Sequence, residues 1–225
     1  MKKLCLILFA ILFSTYIIII LYMRYKHPLY LPEYIKDKFY KIMHKFDKIC
    51  TENDIPYFAV CGTLLGSVRH GEMIPWDDDI DVGILEDHFE KFKSIDFSKY
   101  GLKAEGIEKH NTGKIFYIDE YDNGVKGESI FIDIFFFKNI SGDKYVYSNP
   151  EAYNSWPNEF FYKSEIFPLK RYKFKNIEIN GPSQYIPYCD RSWGNWKVPK
   201  YKKSFLYPIE YIQEYINYYR SSGDI

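Results

Sequence analysis

Gly62-Thr63-Leu64-Leu65-Gly66-Ser67-Val68-Arg69-His70-Gly71-Glu72-Met73-Ile74-Pro75-Trp76-Asp77-Asp78-Asp79-Ile80-Asp81-Val82-Gly83 is the stretch whose reading decides the fold. Its second half, Asp79–Leu85, alternates acid with aliphatic as a strand does. In a strand the side chains at i and i+2 share a face, so Asp79 and Asp81 project together, roughly 7 Å apart along the chain. Two carboxylates on one face grip a divalent cation, and hard ions such as Mg²⁺ take one or two carboxylates together with substrate phosphates. Asp133 stands alone in the apolar strand Phe131-Ile132-Asp133-Ile134-Phe135-Phe136. A buried carboxylate is costly unless it is paired or metal-bound, so Asp133 is the candidate third ligand; the competing reading is an ion pair with a buried Lys or Arg.

Upstream, Pro56–Cys61 is a short apolar run bounded by Pro and Gly, as a buried strand should be, and residues 63–69 form a helical turn. The Gly62/Gly66 loop places a backbone turn, Thr63, Ser67 and a helix N-terminus where phosphate oxygens can be cradled, and Arg69 adds a bidentate phosphate contact. By itself such a loop matches many ordinary turns, and Asp77-Asp78-Asp79 can be a solvated acidic turn. A calcium loop is excluded: Asp77, Asp79 and Asp81 occupy its first, third and fifth positions, but Val82 stands where it needs Gly and His88 where it needs Glu. His70 alone reads as a structural histidine and Trp76 as packing.

Further out, Ile35, Phe39, Ile42, Phe46 and Ile49 recur at alternating spacings of four and three over residues 33–52, which predicts an amphipathic helix. Glu86–Ser98 also looks helical. Two extended runs follow, Leu102–His110 and Lys114–Asp119, then a turn signal at Asp122-Asn123-Gly124 and the strand Ser129–Phe137. Residues 141–170 read as irregular, Arg171–Asn180 as a small hairpin and Pro208–Tyr219 as a closing helix. Helix and strand alternate near the centre and strands cluster later, so the class is α+β with a mixed sheet.

At the N-terminus, Leu4–Tyr22 carries no charge and is flanked by Lys2, Lys3, Arg24 and Lys26. Nineteen residues of helix reach roughly 28 Å, so the reading is one uncleaved transmembrane helix; a cleaved signal peptide is disfavoured by the length of the run and the lack of a small-x-small site. The chain then divides into a membrane anchor, 1–27, and one domain, 28–225. Thirty basic and 30 acidic residues give a net charge of 0, so no global field draws the molecule onto nucleic acid, and a hydrophobic content of 47% excludes a disordered tail. Its four cysteines lie far apart, which implies neither a zinc module nor a disulfide framework.

The run Gly-Thr-Leu-Leu-Gly-Ser-Val-Arg-His followed by Ile-Pro-Trp-Asp-Asp-Asp-Ile-Asp-Val resembles the signature of the LicD family, which includes bacterial phosphocholine transferases, fukutin and fukutin-related proteins. The resemblance continues in Ile132-Asp133-Ile134-Phe135 and in Trp193-Gly194-Asn195-Trp196 with Pro199, and covers residues of about 35–200. It implies a nucleotidyltransferase fold of the DNA polymerase beta sort, with Asp79, Asp81 and Asp133 as catalytic Mg²⁺ (or Mn²⁺) ligands. Gly62, Thr63, Gly66, Ser67, Arg69, His70, Trp76 and Asp77 would face the substrate. It further implies transfer of a phosphorylated alcohol, of the phosphocholine or ribitol phosphate type, from a CDP-activated donor to a glycan hydroxyl, releasing CMP. For the proton of that hydroxyl, Asp77, Asp133 and His70 stand as alternatives. The Arg-His-Gly-Glu-Met-Ile-Pro spelling is similar to the fukutin-related form, which implies a single-pass type II protein of the Golgi or ER. Two rival functions stay open: a nucleotidyltransferase releasing pyrophosphate, and a non-catalytic glycan-binding scaffold.

Overall fold

The computed structural model describes residues 2–26, 31–108, 112–118 and 130–198. The turn signal at 122–124, Pro199 and the closing helix expected over 208–219 lie outside the described residues. Pro32–Trp196 forms one compact unit.

The amphipathic period of residues 33–52 becomes helix α2, Glu33–Glu52, following α1, Lys2–Lys26. One stripe of α2, comprising Ile35, Phe39, Ile42, Met43, Phe46 and Ile49, is buried. Strand β1, Tyr57–Ala59, leads into helix α3, Cys61–Arg69, and then into β2, Ile80–Leu85, all six residues of which are buried. After helix α4, Phe89–Lys93, come β3, Leu102–Glu105, β4, Gly113–Tyr117, and the long β5, Phe131–Ser141. The region that reads as irregular holds β6, Lys144–Tyr147, helix α5, Pro150–Ser155, β7, Phe161–Tyr162, and helix α6, Lys163–Ile166. Strands β8, Lys170–Phe174, and β9, Ile177–Gly181, make the expected hairpin, and helix α7 spans Tyr185–Trp193.

The main sheet runs β1-β2-β5-β4-β3, with β6 on β5 and β7 on β6. It is mixed, because β2 and β5 are parallel and every other pairing in it is antiparallel. Rings lock the sheet to its cover: Phe46 meets Tyr57 edge-on at 5.3 Å and Phe89 meets Phe136 at 5.0 Å, geometries that add to plain burial.

The transmembrane reading of Leu4–Tyr22, and with it the single-pass Golgi or ER placement, is corrected here. The helix α1 forms, yet among the described residues no helix is long and apolar enough to cross a membrane. Ser14 and Thr15 interrupt the apolar surface of α1, Thr15 Oγ1 turning back to donate to the Ile11 carbonyl at 2.9 Å.

Candidate active site

β1 ends at Ala59 and the chain must reverse at once into α3. Cys61 takes up the turn with a left-handed φ of 46°, a conformation that costs a non-glycine residue energy and recurs at functional sites. Gly66 lets the helix approach the loop that follows it: a Cβ there would lie 2.6 Å from the Glu72 carbonyl oxygen and 3.0 Å from the Ile74 nitrogen. Gly62 makes room for a carboxylate, since a Cβ on it would stand 2.2 Å from Asp77 Oδ2. Thr63 is buried and its Oγ1 accepts from the Asp81 backbone N–H at 2.7 Å, tying the helix to the acidic strand. Ser67 turns inward, its Oγ donating to the Leu64 carbonyl at 2.8 Å. Arg69 donates through NH1 to the Trp196 carbonyl at 2.8 Å and through Nε to His70 Nδ1 at 3.3 Å, and the His70 ring meets Trp76 edge-on at 6.1 Å.

The parallel pairing of β2 with β5 sets Asp81 beside Asp133 in register. One carboxylate oxygen from each of Asp79, Asp81 and Asp133 falls within 4.8 Å of the others; Asp77, Asp78 and Asp79 form a second such group. Asp81 is 7% exposed. Burial first, and then Asp79, Asp77, Asp133 and Glu159, push its carboxyl well above the usual carboxylate range. Burial also raises Asp133, while an ion pair with Lys114 at 2.6 Å acts the other way. Three converging hard oxygen donors, one of them buried among like charges, fit a divalent cation and are poorly suited to anything neutral.

His70 is held unprotonated. Burial, and after it the Arg69 charge, lowers it to about 4. Because its folded value lies below the unfolded ~6.5, the stability it contributes is present above that value and is lost as pH falls towards 4. The advantage of wild type over His70→Asn, which keeps an acceptor near Nδ1, is expected to shrink between pH 7.5 and 5 by at most about 1.4 kcal/mol per pH unit. Paired urea titrations at the two pH values check this, and a constant difference contradicts it.

Two groups of residues enter the site without having been singled out by the sequence. Lys114 faces Asp133 across the β4–β5 ladder. Glu159 Oε2 accepts from Tyr147 OH at 2.5 Å, from Tyr188 OH at 3.4 Å and from Cys61 Sγ at 3.4 Å, while Cys61 N–H donates to Tyr188 OH at 3.3 Å. This half-buried knot joins the start of α3 to α7 and brings a further carboxylate into the field of Asp81. Burial pushes the Cys61 thiol up, which keeps it from acting as a thiolate.

The fold thus presents a carboxylate cluster at the ends of two parallel strands, behind a helix that starts at a strained turn. Residues 54–184 match the LicD/FKTN/FKRP nucleotidyltransferase domain model, and the chain belongs to that family. It is 39% identical over 159 residues to an uncharacterized protein of Rickettsia typhi, covering 70% of this chain and 46% of that one. It is 34% identical over 181 residues to the lipopolysaccharide cholinephosphotransferase LicD of Haemophilus influenzae, covering 76% of this chain and 59% of that one. To the ribitol-5-phosphate transferase FKTN of Mus musculus it is 27% identical over 147 residues, 64% of this chain and 30% of that one. The chain spans about half the length of the curated relatives it matches.

Proposed function

We propose that this domain is a divalent-metal-dependent phosphotransferase that moves a phosphorylated alcohol, of the phosphocholine or ribitol phosphate type, from a CDP-activated donor to a glycan hydroxyl and releases CMP. The observation that carries the reading is the convergence of Asp79, Asp81 and Asp133 within 4.8 Å in a member of this family. The names of two relatives, a cholinephosphotransferase and a ribitol-5-phosphate transferase, support the substrate class.

Asp79, Asp81 and Asp133 would hold Mg²⁺ or Mn²⁺. Bound there, such an ion neutralises donor phosphate oxygens and the charge that grows on the departing nucleotide. The chain's own part is placement. Thr63 fixes the Asp81 backbone, and Gly62 leaves space for the Asp77 carboxylate beside α3. Arg69 ties the end of α3 to the Trp196 carbonyl at 2.8 Å. Unprotonated at neutral pH, His70 has the state a proton acceptor needs, but its Nδ1 already accepts from Arg69. Asp77, grouped with Asp79, and Asp133, in the metal cluster, stand as the other acceptors for the hydroxyl proton, in a reaction that depends chiefly on positioning and charge.

The test is CMP release by the full chain from CDP-choline, CDP-ribitol and CDP-glycerol with Mg²⁺, beside chelator and Asp81→Asn controls. Metal-dependent CMP from one donor, lost in the variant, is the expected result. No CMP from any of the three, with pyrophosphate released from CTP instead, would replace this reading by nucleotidyl transfer.

A further inference from the structure

Asp81, Asp133 and Lys114 are register partners on three adjacent strands, Asp81 opposite Asp133 on β2 and β5, and Asp133 opposite Lys114 on β5 and β4. Partners in register point to the same face of a sheet, so an acid, an acid and a base stand in one row. Lys114 Nζ lies 2.6 Å from Asp133 Oδ1 and 3.5 Å from the centre of the Phe131 ring. Phe131 precedes Asp133 by two residues on the same strand, so one short segment supplies both the charge and the ring that hold the ammonium in place. The Lys114 side chain is nevertheless 43% exposed, against 17% for Asp133, which leaves its four-carbon stem free to swing away.

We propose that Lys114 is the built-in counter-ion of the metal site: its ammonium and the divalent cation compete for Asp133, and the displaced ammonium turns to the phosphate of the donor. This rests on the reading above of a metal-dependent enzyme with an anionic donor. Without an ion, carboxylates within 4.8 Å of one another repel, and Lys114 cancels one of the charges. When a doubly charged ion reaches the same carboxylate, ammonium and metal repel each other at close range in a partly buried place. The lysine then gives up its partner; of the negative charges beside it, Glu105, its register partner on β3, is already held by Lys103 at 2.7 Å, which leaves the phosphate the donor brings. Lysine suits such an exchange because its ammonium is a compact point charge on a flexible stem that needs no fixed geometry to rebind.

The consequence is a crossed pattern that a merely structural lysine would not produce. By titration calorimetry on the full chain at low salt, Lys114→Met is expected to bind Mn²⁺ about 3- to 10-fold more tightly than wild type, because a competing positive charge is gone. In saturating Mn²⁺ the same variant is expected to bind CDP about 10-fold more weakly, because a phosphate contact is gone. Lys114→Gln should repeat both signs with a polar stem. Lys114→Arg, which keeps the charge, should leave Mn²⁺ affinity within about twofold. Lys91→Met serves as control, since Lys91 belongs to α4 and pairs with the exposed Asp54 at 3.6 Å. Mn²⁺ binding that is unchanged or weaker in Lys114→Met, or CDP binding that is undiminished, overturns the inference and leaves the metal site standing. Absence of Mn²⁺ binding by wild type overturns the metal reading itself and this inference with it.

Discussion

Asp81→Asn is expected to abolish turnover while making the metal-free protein more stable at neutral pH. The Asp81 carboxylate is buried and surrounded by Asp79, Asp77, Asp133 and Glu159, so its charged form is unfavourable in the folded chain. An acid whose folded pKa is raised contributes stability below its unfolded value of about 3.9, and that contribution is lost as pH rises through the folded pKa. At pH 8 the metal-free site therefore opposes folding. Asparagine has the same shape without the charge and removes that opposition, on the order of 1 kcal/mol or more, which for a chain of this size is ~2–4 °C in Tm. Against this gain, Mg²⁺ or Mn²⁺ should raise the Tm of wild type and not that of the variant, because binding to the folded state alone is what stabilises. The loss of turnover should reach about 10³-fold, since several kcal/mol of charge stabilisation pass through the ion. Differential scanning calorimetry of the two proteins at pH 8 and pH 4, with and without Mg²⁺, decides the matter. A variant less stable than wild type at pH 8 without metal would show that Asp81 is held by partners rather than strained by repulsion. Asp79 is less buried than Asp81, so Asp79→Asn should lose turnover with a smaller change in Tm.

The convergence of the Asp79, Asp81 and Asp133 carboxylates was legible in the sequence because each rests on a local signal: two acids in alternation along one strand, one acid in an apolar run. The helix over Glu33–Glu52 and the strand to Leu85 were legible for the same reason, as periods written in consecutive residues. Lys114 was not, because its place opposite Asp133 is a property of the β4–β5 register, and nothing in Gly113–Tyr117 announces which strand will lie beside it. The inward turn of Ser67 was not legible: within helix α3 its hydroxyl lies within reach of the Leu64 carbonyl one turn earlier. In residues 141–170 the Tyr, Asn and Pro content hid short elements that are fixed by distant partners, as β6 is by β5 and α6 by α7. The apolar N-terminal run shows the opposite failure: a local signal was clear for helix, and the helix is there, but among the described residues no helix is long and apolar enough to cross a membrane.

Arg191→Ala is expected to cost about 3–5 kcal/mol of stability, the range for removing one partner of a buried ion pair. Arg191 grips Glu165 with both arms, NH1 to Oε1 at 2.9 Å and NH2 to Oε2 at 2.6 Å, and NH2 also donates to the Phe160 carbonyl at 2.7 Å. The Glu165 side chain is only 8% exposed, and Oε2 also accepts from the Tyr162 N–H at 3.0 Å. Truncating the arginine leaves that carboxylate buried with one backbone donor, and it strips a guanidinium from above the Phe160 ring, 4.2 Å away. Arg191→Lys should recover little, because an ammonium cannot make two parallel bonds to a carboxylate. Glu165→Gln combined with Arg191→Met, which removes both charges together, should recover most of the loss. Lys91→Ala supplies the contrast: its pair with Asp54, at 3.6 Å with side chains 50% and 92% exposed, should be worth less than about 1 kcal/mol. The loss also reaches the site, because Arg191 belongs to α7, whose Tyr188 accepts from the Cys61 N–H and donates to Glu159 beside the acidic cluster. Urea titration of the four variants separates the possibilities: a cost below about 1 kcal/mol for Arg191→Ala would mean that α7 is held by its rings, with Tyr188 stacked on Phe161 at 4.1 Å, and that the ion pair is incidental.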